Sequence, residues 1–190
     1  MNPLFDAARE LLDTLDAFGF RSCLIGGLVV QRWGEPRLTQ DVDATVLAEY
    51  GREQRVVDSL LSRFAVRRPD AREFAIERRV LLLKASNGVD VDISLAAHGF
   101  ELEVLERATR YEFEAGIELQ TCSAEDLIVY KAVAGRPRDL ADIETVVKRQ
   151  ARRLDVERVR AWLREFGELK DDPDIGRTFE DALRKTQRRP

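Results

Sequence analysis

Cysteine and long apolar runs are both scarce in this chain of 190 residues. The two cysteines, Cys23 and Cys122, lack the spacing of a zinc site or a disulfide framework, so we expect both to be small buried apolar residues. No apolar run approaches the roughly 20 residues that cross a bilayer, which predicts no membrane role. The first residues show no basic stretch before a hydrophobic core, so the expected location is the cytoplasm.

Positive charge is not in excess either, since the net charge is −4. A negative net charge gives no overall attraction to nucleic acid, but it does not exclude a local basic face. Histidine occurs once, at His98, which we expect at a surface turn. The C-terminal residues Arg188 and Arg189 are expected to fray. The 44% hydrophobic and 35% charged residues are typical of a globular protein.

What the sequence does contain is a mixed pattern of helix and strand. Helical spacing predicts a first helix that ends near Phe18, followed by a short apolar strand over 20–25. Gly26-Gly27 then forms a turn into a second helix. Residues 41–47 alternate acidic and apolar side chains, as a strand with one solvated face does.

The later part of the chain changes from mixed to helical. Apolar runs over 80–85 and 89–95 are joined by Asn87-Gly88, which predicts a β-hairpin. We therefore predict an α/β (α+β) fold with a small mixed sheet flanked by helices. Residues 1–120 are expected to form the core domain, and residues 121–190 a helical C-terminal region packed on it.

Two carboxylates in an Asp-x-Asp motif follow the Gly-Gly pair after thirteen intervening residues. Residues two apart on a strand share a face, so Asp41 and Asp43 lie side by side and repel each other unless a cation lies between them. Such hard oxygen ligands suit Mg²⁺, which one or two carboxylates hold together with substrate phosphates. A third carboxylate is expected from a neighbouring strand, where Asp90 and Asp92 are the candidates.

The glycine turn fits the same chemistry. A Gly-Gly pair at the start of a helix lets backbone N–H groups approach phosphate oxygens closely, and the helix N-terminus favours the anion. The residues alone therefore predict a site for magnesium and a nucleoside triphosphate.

These residues resemble the nucleotidyltransferase superfamily, whose pattern is a Gly-Gly or Gly-Ser turn, a spacer, Asp-x-Asp and a later acidic residue in an apolar strand. The segments 25–43, 126–131 and 135–142 are similar, more narrowly, to minimal nucleotidyltransferases among the toxins of bacterial toxin-antitoxin and abortive-infection systems. The resemblance covers about residues 20–148 and implies a nucleotidyltransferase fold followed by a helical region.

The resemblance also implies a role for each motif residue. Asp41 and Asp43 would bind Mg²⁺ or Mn²⁺, and Asp92 would complete the metal site and align the acceptor. Lys131 would steady the triphosphate, and Asp139 would be a further active-site carboxylate. The residues implied to bind the nucleotide are Gly26, Gly27, Arg37, Thr39 and Lys131.

The implied reaction transfers a nucleoside monophosphate from a nucleoside triphosphate to an acceptor hydroxyl, with pyrophosphate leaving. Asp92 is preferred to Asp90 as the third carboxylate, and it is the first candidate to accept the proton of the hydroxyl. The resemblance favours a tRNA or a protein as the acceptor. A toxin would also have a protein antitoxin as its partner.

Each motif has a structural interpretation as well. Gly26-Gly27 alone is an ordinary strand-to-helix turn, and Asp41 and Asp43 alone fit the solvated face of an edge strand. Lys131 would then be an exposed helix residue, and Asp139 an acid favoured at a helix N-terminus. A glycine turn, an Asp-x-Asp motif at this spacing and a later acidic strand rarely coincide by chance, so their combination favours the nucleotidyltransferase fold. For Lys131 and Asp139 the structural and the functional interpretations stay equally open.

Other functions stay open at this stage. One is a noncatalytic module that retains the fold and binds a nucleotide or a partner. Another is a transferase that modifies a small molecule such as an antibiotic. Without the resemblance, the prediction is an α/β domain that binds a divalent metal through Asp41 and Asp43.

Overall fold

The computed structural model describes residues 2–97 and 99–187. The predictions for His98 and for Arg188 and Arg189 lie outside these residues. Within the described ranges, no helix is long and apolar enough to span a membrane.

The chain divides into two compact units. The first consists of Met1–Leu28 and Leu38–Cys122, and the second of Val29–Arg37 and Ser123–Pro190. Each unit therefore contains two separate stretches of the sequence.

The first unit contains a mixed sheet. Its strands are β1 (Ser22–Ile25), β2 (Asp41–Leu47), β3 (Ala65–Val66), β4 (Val80–Lys84), β5 (Asp90–Ala96), β6 (Thr109–Glu114) and β7 (Ile117–Thr121). Their order is β3-β4-β5-β2-β1-β7-β6, with β2 parallel to β5 and antiparallel to β1. The two strands that carry the Asp-x-Asp sequences are therefore neighbours in the sheet.

One face of these two strands forms the core of the unit. Alternate residues of β2 and β5 are at most 1% exposed; they are Val42, Ala44, Val46, Val91, Ile93 and Leu95. Because successive side chains on a strand point to opposite faces, the intervening aspartates lie on the other face. Burial of one face and exposure of the other fixes the register, since a slip of one residue would bury the carboxylates.

Helices accompany the sheet within the same unit. They are α1 (Pro3–Ala17), the first residues of α2 (Gly26–Trp33), α3 (Glu53–Leu61), α4 (Ala71–Arg78) and α5 (Gly99–Arg107). Asn2 caps α1 by accepting a hydrogen bond from the amide of Leu4, and Pro3 occupies the first helical position. The apolar stripe of α1 packs against β1, β2 and β7, and α5 packs against β2.

The second unit is helical. Its elements are the rest of α2, α6 (Ala124–Ala134), α7 (Pro137–Gln150), a 3-10 turn (Ala151–Arg153), α8 (Val156–Lys170) and α9 (Arg177–Gln187). Helix α6 packs against α7 and α8, and α7 packs against α9. Gly135, with φ of +63°, ends α6, and Pro137 begins α7 two residues later.

The predicted fold class is confirmed: a mixed sheet is flanked by helices. The strand predicted over 41–47 is β2, and the hairpin predicted around Asn87-Gly88 is the antiparallel pair β4 and β5. Cys23 and Cys122 are both buried thiols, as expected.

Candidate active site

Four carboxylates form a two-by-two array on the face opposite the core. The parallel register places Asp41 beside Asp90 and Asp43 beside Asp92, and all four residues are half-buried. Like charges directly opposite each other on neighbouring strands repel. This face of the sheet therefore favours the binding of cations.

Asp41 is oriented by the loop that precedes β2. The hydroxyl of Thr39 donates a hydrogen bond of 2.8 Å to Oδ1 of Asp41. Thr39 is 6% exposed, so its own position is fixed by packing. The first carboxylate of the motif is thus held in one orientation by a buried neighbour.

Asp43 is held by the glycine turn. The amide of Gly27 donates to Oδ2 of Asp43 at 3.3 Å. Gly26 has φ of +69°, a conformation that residues with a β-carbon rarely adopt. The Gly27 amide lies in the turn that was predicted to approach a phosphate. In this structure it donates instead to the carboxylate of Asp43.

Asp90 and Asp92 are bridged by an arginine that the sequence did not single out. Nε of Arg67 lies 3.3 Å from Oδ2 of Asp90, and Nη1 of Arg67 forms an ion pair with Oδ1 of Asp92. Lys84 also pairs with Asp90. No motif marks Arg67, because its position depends on the pairing of β3 with β4.

The two carboxylates of β5 differ in their proton affinity. Burial raises the pKa of Asp92, Arg67 opposes the rise, and the charges of Asp41 and Asp90 add to it. The hydrogen bond from Lys84 instead lowers the pKa of Asp90. The same sheet face thus holds one carboxylate that binds a proton more readily and one that binds it less readily.

The donor set fits a hard divalent cation, although the side chains are not gathered around one point. Among the described residues, no group of three His, Cys, Asp or Glu side chains is arranged to hold a metal ion. Asp43 is engaged by Gly27, and Asp92 is engaged by Arg67. The carboxylate oxygens are the ligands that Mg²⁺ prefers, and they come from adjacent strands. Arg67 occupies Oδ1 of Asp92, so a cation that used this oxygen would have to displace the guanidinium.

Lys131, Asp139 and Asp142 form a buried ion cluster in the second unit. Nζ of Lys131 lies 2.8 Å from Oδ1 of Asp139 and 2.9 Å from Oδ2 of Asp142. The three residues are 7%, 4% and 3% exposed, respectively. The interpretation of Lys131 as an exposed helix residue is therefore wrong.

Arginines complete this cluster. Arg37 donates two hydrogen bonds to Asp142, of 2.6 Å from Nε and 2.7 Å from Nη2, and Arg136 pairs with Asp139. Burial would raise the pKa of Asp142, but the hydrogen bonds from Arg37 and Lys131 outweigh it and hold this pKa below its ordinary value. The cluster ties α6, α7 and the segment after α2 together within the unit.

The predicted site residues thus fall into two groups. The first unit brings together Gly26, Gly27, Thr39, Asp41, Asp43 and Asp92, and the second unit brings together Arg37, Lys131 and Asp139. The role of Lys131 at a triphosphate and that of Asp139 as an active-site carboxylate stay predictions.

Several solved structures share the fold of this chain. An antigenic nucleotidyltransferase-like protein from Paracoccidioides brasiliensis superimposes with a TM-score of 0.52 at 16% identity, over 93% of this chain and 92% of that one. The solution structure of the antibiotic-resistance factor ANT(2'')-Ia gives a TM-score of 0.56 at 14% identity, over 88% and 92% of the two chains.

A crystal structure of ANT(2'')-Ia in complex with adenylyl-2''-tobramycin gives a TM-score of 0.53 at 18% identity, over 89% of this chain and 99% of that one. At these identities the similarity establishes the fold. No curated protein sequence matches this chain significantly.

A family model identifies the chain more directly. Residues 4–175 match the family described as "Nucleotidyl transferase of unknown function (DUF2204)". This match includes both carboxylate strands, the glycine turn and the buried ion cluster. The chain therefore belongs to this nucleotidyl transferase family.

Proposed function

We propose that the protein is a divalent-cation-dependent nucleotidyltransferase that moves a nucleoside monophosphate from a nucleoside triphosphate to an acceptor hydroxyl. The observation that carries the proposal is the register of β2 and β5, which places Asp43 beside Asp92 next to the left-handed Gly26. The family match gives the reaction class.

Asp41, Asp43 and Asp92 are the residues that would hold Mg²⁺ or Mn²⁺. The bound cation would supply Lewis acid stabilisation of the charge on the triphosphate. Without a cation, four carboxylates on this face would repel the triphosphate, which supports the dependence on a divalent ion.

In the reaction, the oxygen of the acceptor hydroxyl forms a bond to the α-phosphorus. The bond from that phosphorus to the oxygen bridging the α- and β-phosphates breaks, and pyrophosphate leaves. Asp92 is the first candidate to accept the hydroxyl proton, because the β5 carboxylate lies beside the Asp43 carboxylate of β2. The main contribution of the protein to catalysis is thus to position charged groups around the reacting phosphate.

The acceptor that we propose is a macromolecule, either a tRNA end or a protein hydroxyl. This rests on the similarity of the motifs to minimal nucleotidyltransferase toxins, and it includes a toxin role with a protein antitoxin as partner. A small-molecule acceptor is the second candidate, since ANT(2'')-Ia, an antibiotic-resistance factor, has the same fold.

The test is transfer of label from α-labelled nucleoside triphosphates, one base at a time with Mg²⁺, to total tRNA, to cell protein and to tobramycin. The wild type is compared with the Asp41→Asn/Asp43→Asn double variant and with Asp58→Asn as a control. Asp58 is an exposed aspartate paired with Arg72. Label moved by the wild type and the control, but not by the double variant, supports the proposal and gives the acceptor class.

Other outcomes separate the alternatives. If no label moves but nucleotide with Mg²⁺ raises the melting temperature of the wild type, the protein is a binding module. If neither is seen, the proposed site is wrong. Growth arrest on expression of the wild type, and not of the double variant, tests the toxin role.

A further inference from the structure

We infer that Arg67 is the built-in counter-ion of Asp92 and competes with a divalent cation for this carboxylate. The inference rests on the proposed function, since it concerns the same cation site. Arg67 would thereby set the cation concentration at which the site is loaded.

The position of Arg67 is determined by the sheet. Arg67 directly follows β3, and its amide donates to the carbonyl of Leu82 on β4 at 3.2 Å. The side chain extends to β5, where it contacts both Asp90 and Asp92. A guanidinium presents several donors in a rigid fork, so one arginine can hold two carboxylates that share a strand face.

The contact with Arg67 offsets the negative charges that surround Asp92. Asp92 lies beside Asp43 in the register and two residues from Asp90 on the same face. Lys84 pairs with Asp90. Within the part of the chain that the structure describes, Arg67 is the one cation paired with Asp92.

Competition follows from the atoms involved. Arg67 bonds to Oδ1 of Asp92, and a divalent cation that used this oxygen would lie beside a guanidinium of the same sign. Removal of Arg67 would eliminate this repulsion and would make the carboxylate array more negative. Cation binding should therefore become tighter, whereas loss of a residue that only supports the fold would leave binding unchanged or weaken it.

The test measures Mn²⁺ binding by the electron paramagnetic resonance signal of the unbound ion. We expect Arg67→Ala to lower the dissociation constant about fivefold, because the arginine and the carboxylate are a partly exposed pair. Arg67→Lys keeps the charge but loses the two-armed contact, so its dissociation constant should lie between those of the wild type and Arg67→Ala. Arg72→Ala removes an exposed arginine that pairs with Asp58, and it should change nothing.

Stability gives a second readout. Without a divalent ion, Arg67→Ala should melt at a lower temperature than the wild type, and saturating Mn²⁺ should raise its melting temperature more than that of the wild type. Arg67→Gln provides a second variant of similar length if the alanine variant folds poorly. An equal loss of melting temperature with and without Mn²⁺ would assign Arg67 a purely structural role.

The outcomes separate this inference from the proposed function. If the wild type binds Mn²⁺ and the Asp41→Asn/Asp43→Asn variant does not, the cation site stands. An unchanged or larger dissociation constant in Arg67→Ala would then overturn the inference alone. If the wild type binds no Mn²⁺, both the cation site and the inference are wrong.

Discussion

A β-carbon on Gly26 would lie 2.0 Å from Oδ2 of Asp43. The second carboxylate of the Asp-x-Asp motif therefore occupies space that any side chain at position 26 would take. The turn and the acidic strand are consequently one unit of structure, although fifteen residues separate Gly27 from Asp43 along the sequence.

Gly26→Ala should displace Asp43 and abolish nucleotidyl transfer. Backbone strain and the clash together should lower the free energy of unfolding by about 2–4 kcal/mol, measured by urea denaturation. Gly51→Ala is the matched control, since Gly51 has φ of +79° but no atom within 4 Å of a β-carbon. Equal losses in the two variants would contradict the close contact at Gly26.

Thr39→Val should weaken catalysis with little effect on the fold. The substitution preserves the shape of the side chain but removes the hydroxyl that orients Asp41. We expect the transfer rate to fall about tenfold, and the free energy of unfolding to fall by about 1 kcal/mol, the typical value of one hydrogen bond. The measurement is the transfer rate as a function of Mg²⁺ concentration. Thr39→Ser keeps the hydroxyl and should transfer at nearly the wild-type rate. A serine variant as slow as the valine variant would argue against the hydroxyl.

Asp41→Asn should stabilise the metal-free protein while it eliminates transfer. Asparagine can still accept the hydrogen bond from Thr39, and it removes the repulsion with Asp90 and Asp43. The expected gain is about 0.5–1 kcal/mol in the free energy of unfolding, measured with chelator present. Asp58→Asn breaks an exposed ion pair and should give no gain. A loss of stability in Asp41→Asn would show that repulsion on this face is already neutralised.

Alternation of buried and exposed residues is the reason that β2 could be predicted over its whole length. The hairpin of β4 and β5 was equally predictable, because Asn87-Gly88 joins two apolar runs and Gly88 has φ of +83°. By contrast, β6 was not predicted, although residues 110–114 alternate charged and aromatic side chains; in the structure five of its six residues are exposed and none is buried. Two-residue β3 is exposed as well and gives no periodic signal.

The site was predictable where the chemistry lies in one short motif. Asp41, Asp43, Gly26 and Gly27 are close in sequence, and the strand period alone places the two carboxylates together. The contact of Arg67 with Asp92 requires the pairing of β3, β4 and β5, which no local pattern contains.

The burial of Lys131 could not be predicted from the sequence for a different reason. Helix α6 buries residues on several sides, so its apolar pattern does not show which side faces solvent. The lysine is compensated by Asp139 and Asp142 on α7, and this pairing depends on how the two helices pack.

Lys131→Met should destabilise the protein strongly. The change removes the cation that Asp139 and Asp142 share and leaves each aspartate with one arginine. The free energy of unfolding should therefore fall by about 3 kcal/mol, the lower end of the range for a broken buried ion pair. Arg136→Ala is the matched control, because Arg136 also pairs with Asp139 but its side chain is 77% exposed. Urea denaturation of both variants checks the difference, and similar small losses would show that the buried cluster contributes little.

The stabilising effect of Asp142 should depend on pH. Arg37 and Lys131 outweigh burial and hold the pKa of Asp142 below its ordinary value. Because the folded-state pKa is the lower one, the stabilisation is complete above the unfolded-state pKa of about 4 and is lost as the pH falls through the folded-state pKa. The difference in free energy of unfolding between the wild type and Asp142→Asn should therefore be largest near neutral pH and shrink below about pH 4.

The same comparison in an Arg37→Met background tests the cause. Removal of the bidentate partner of Asp142 eliminates two of the hydrogen bonds that lower its pKa. The pH dependence of the Asp142→Asn effect should therefore become weaker in this background. Urea denaturation at pH 3, 4, 5 and 7 measures all four proteins, and an unchanged pH dependence would assign the stabilisation of the charged Asp142 to Lys131 rather than to Arg37.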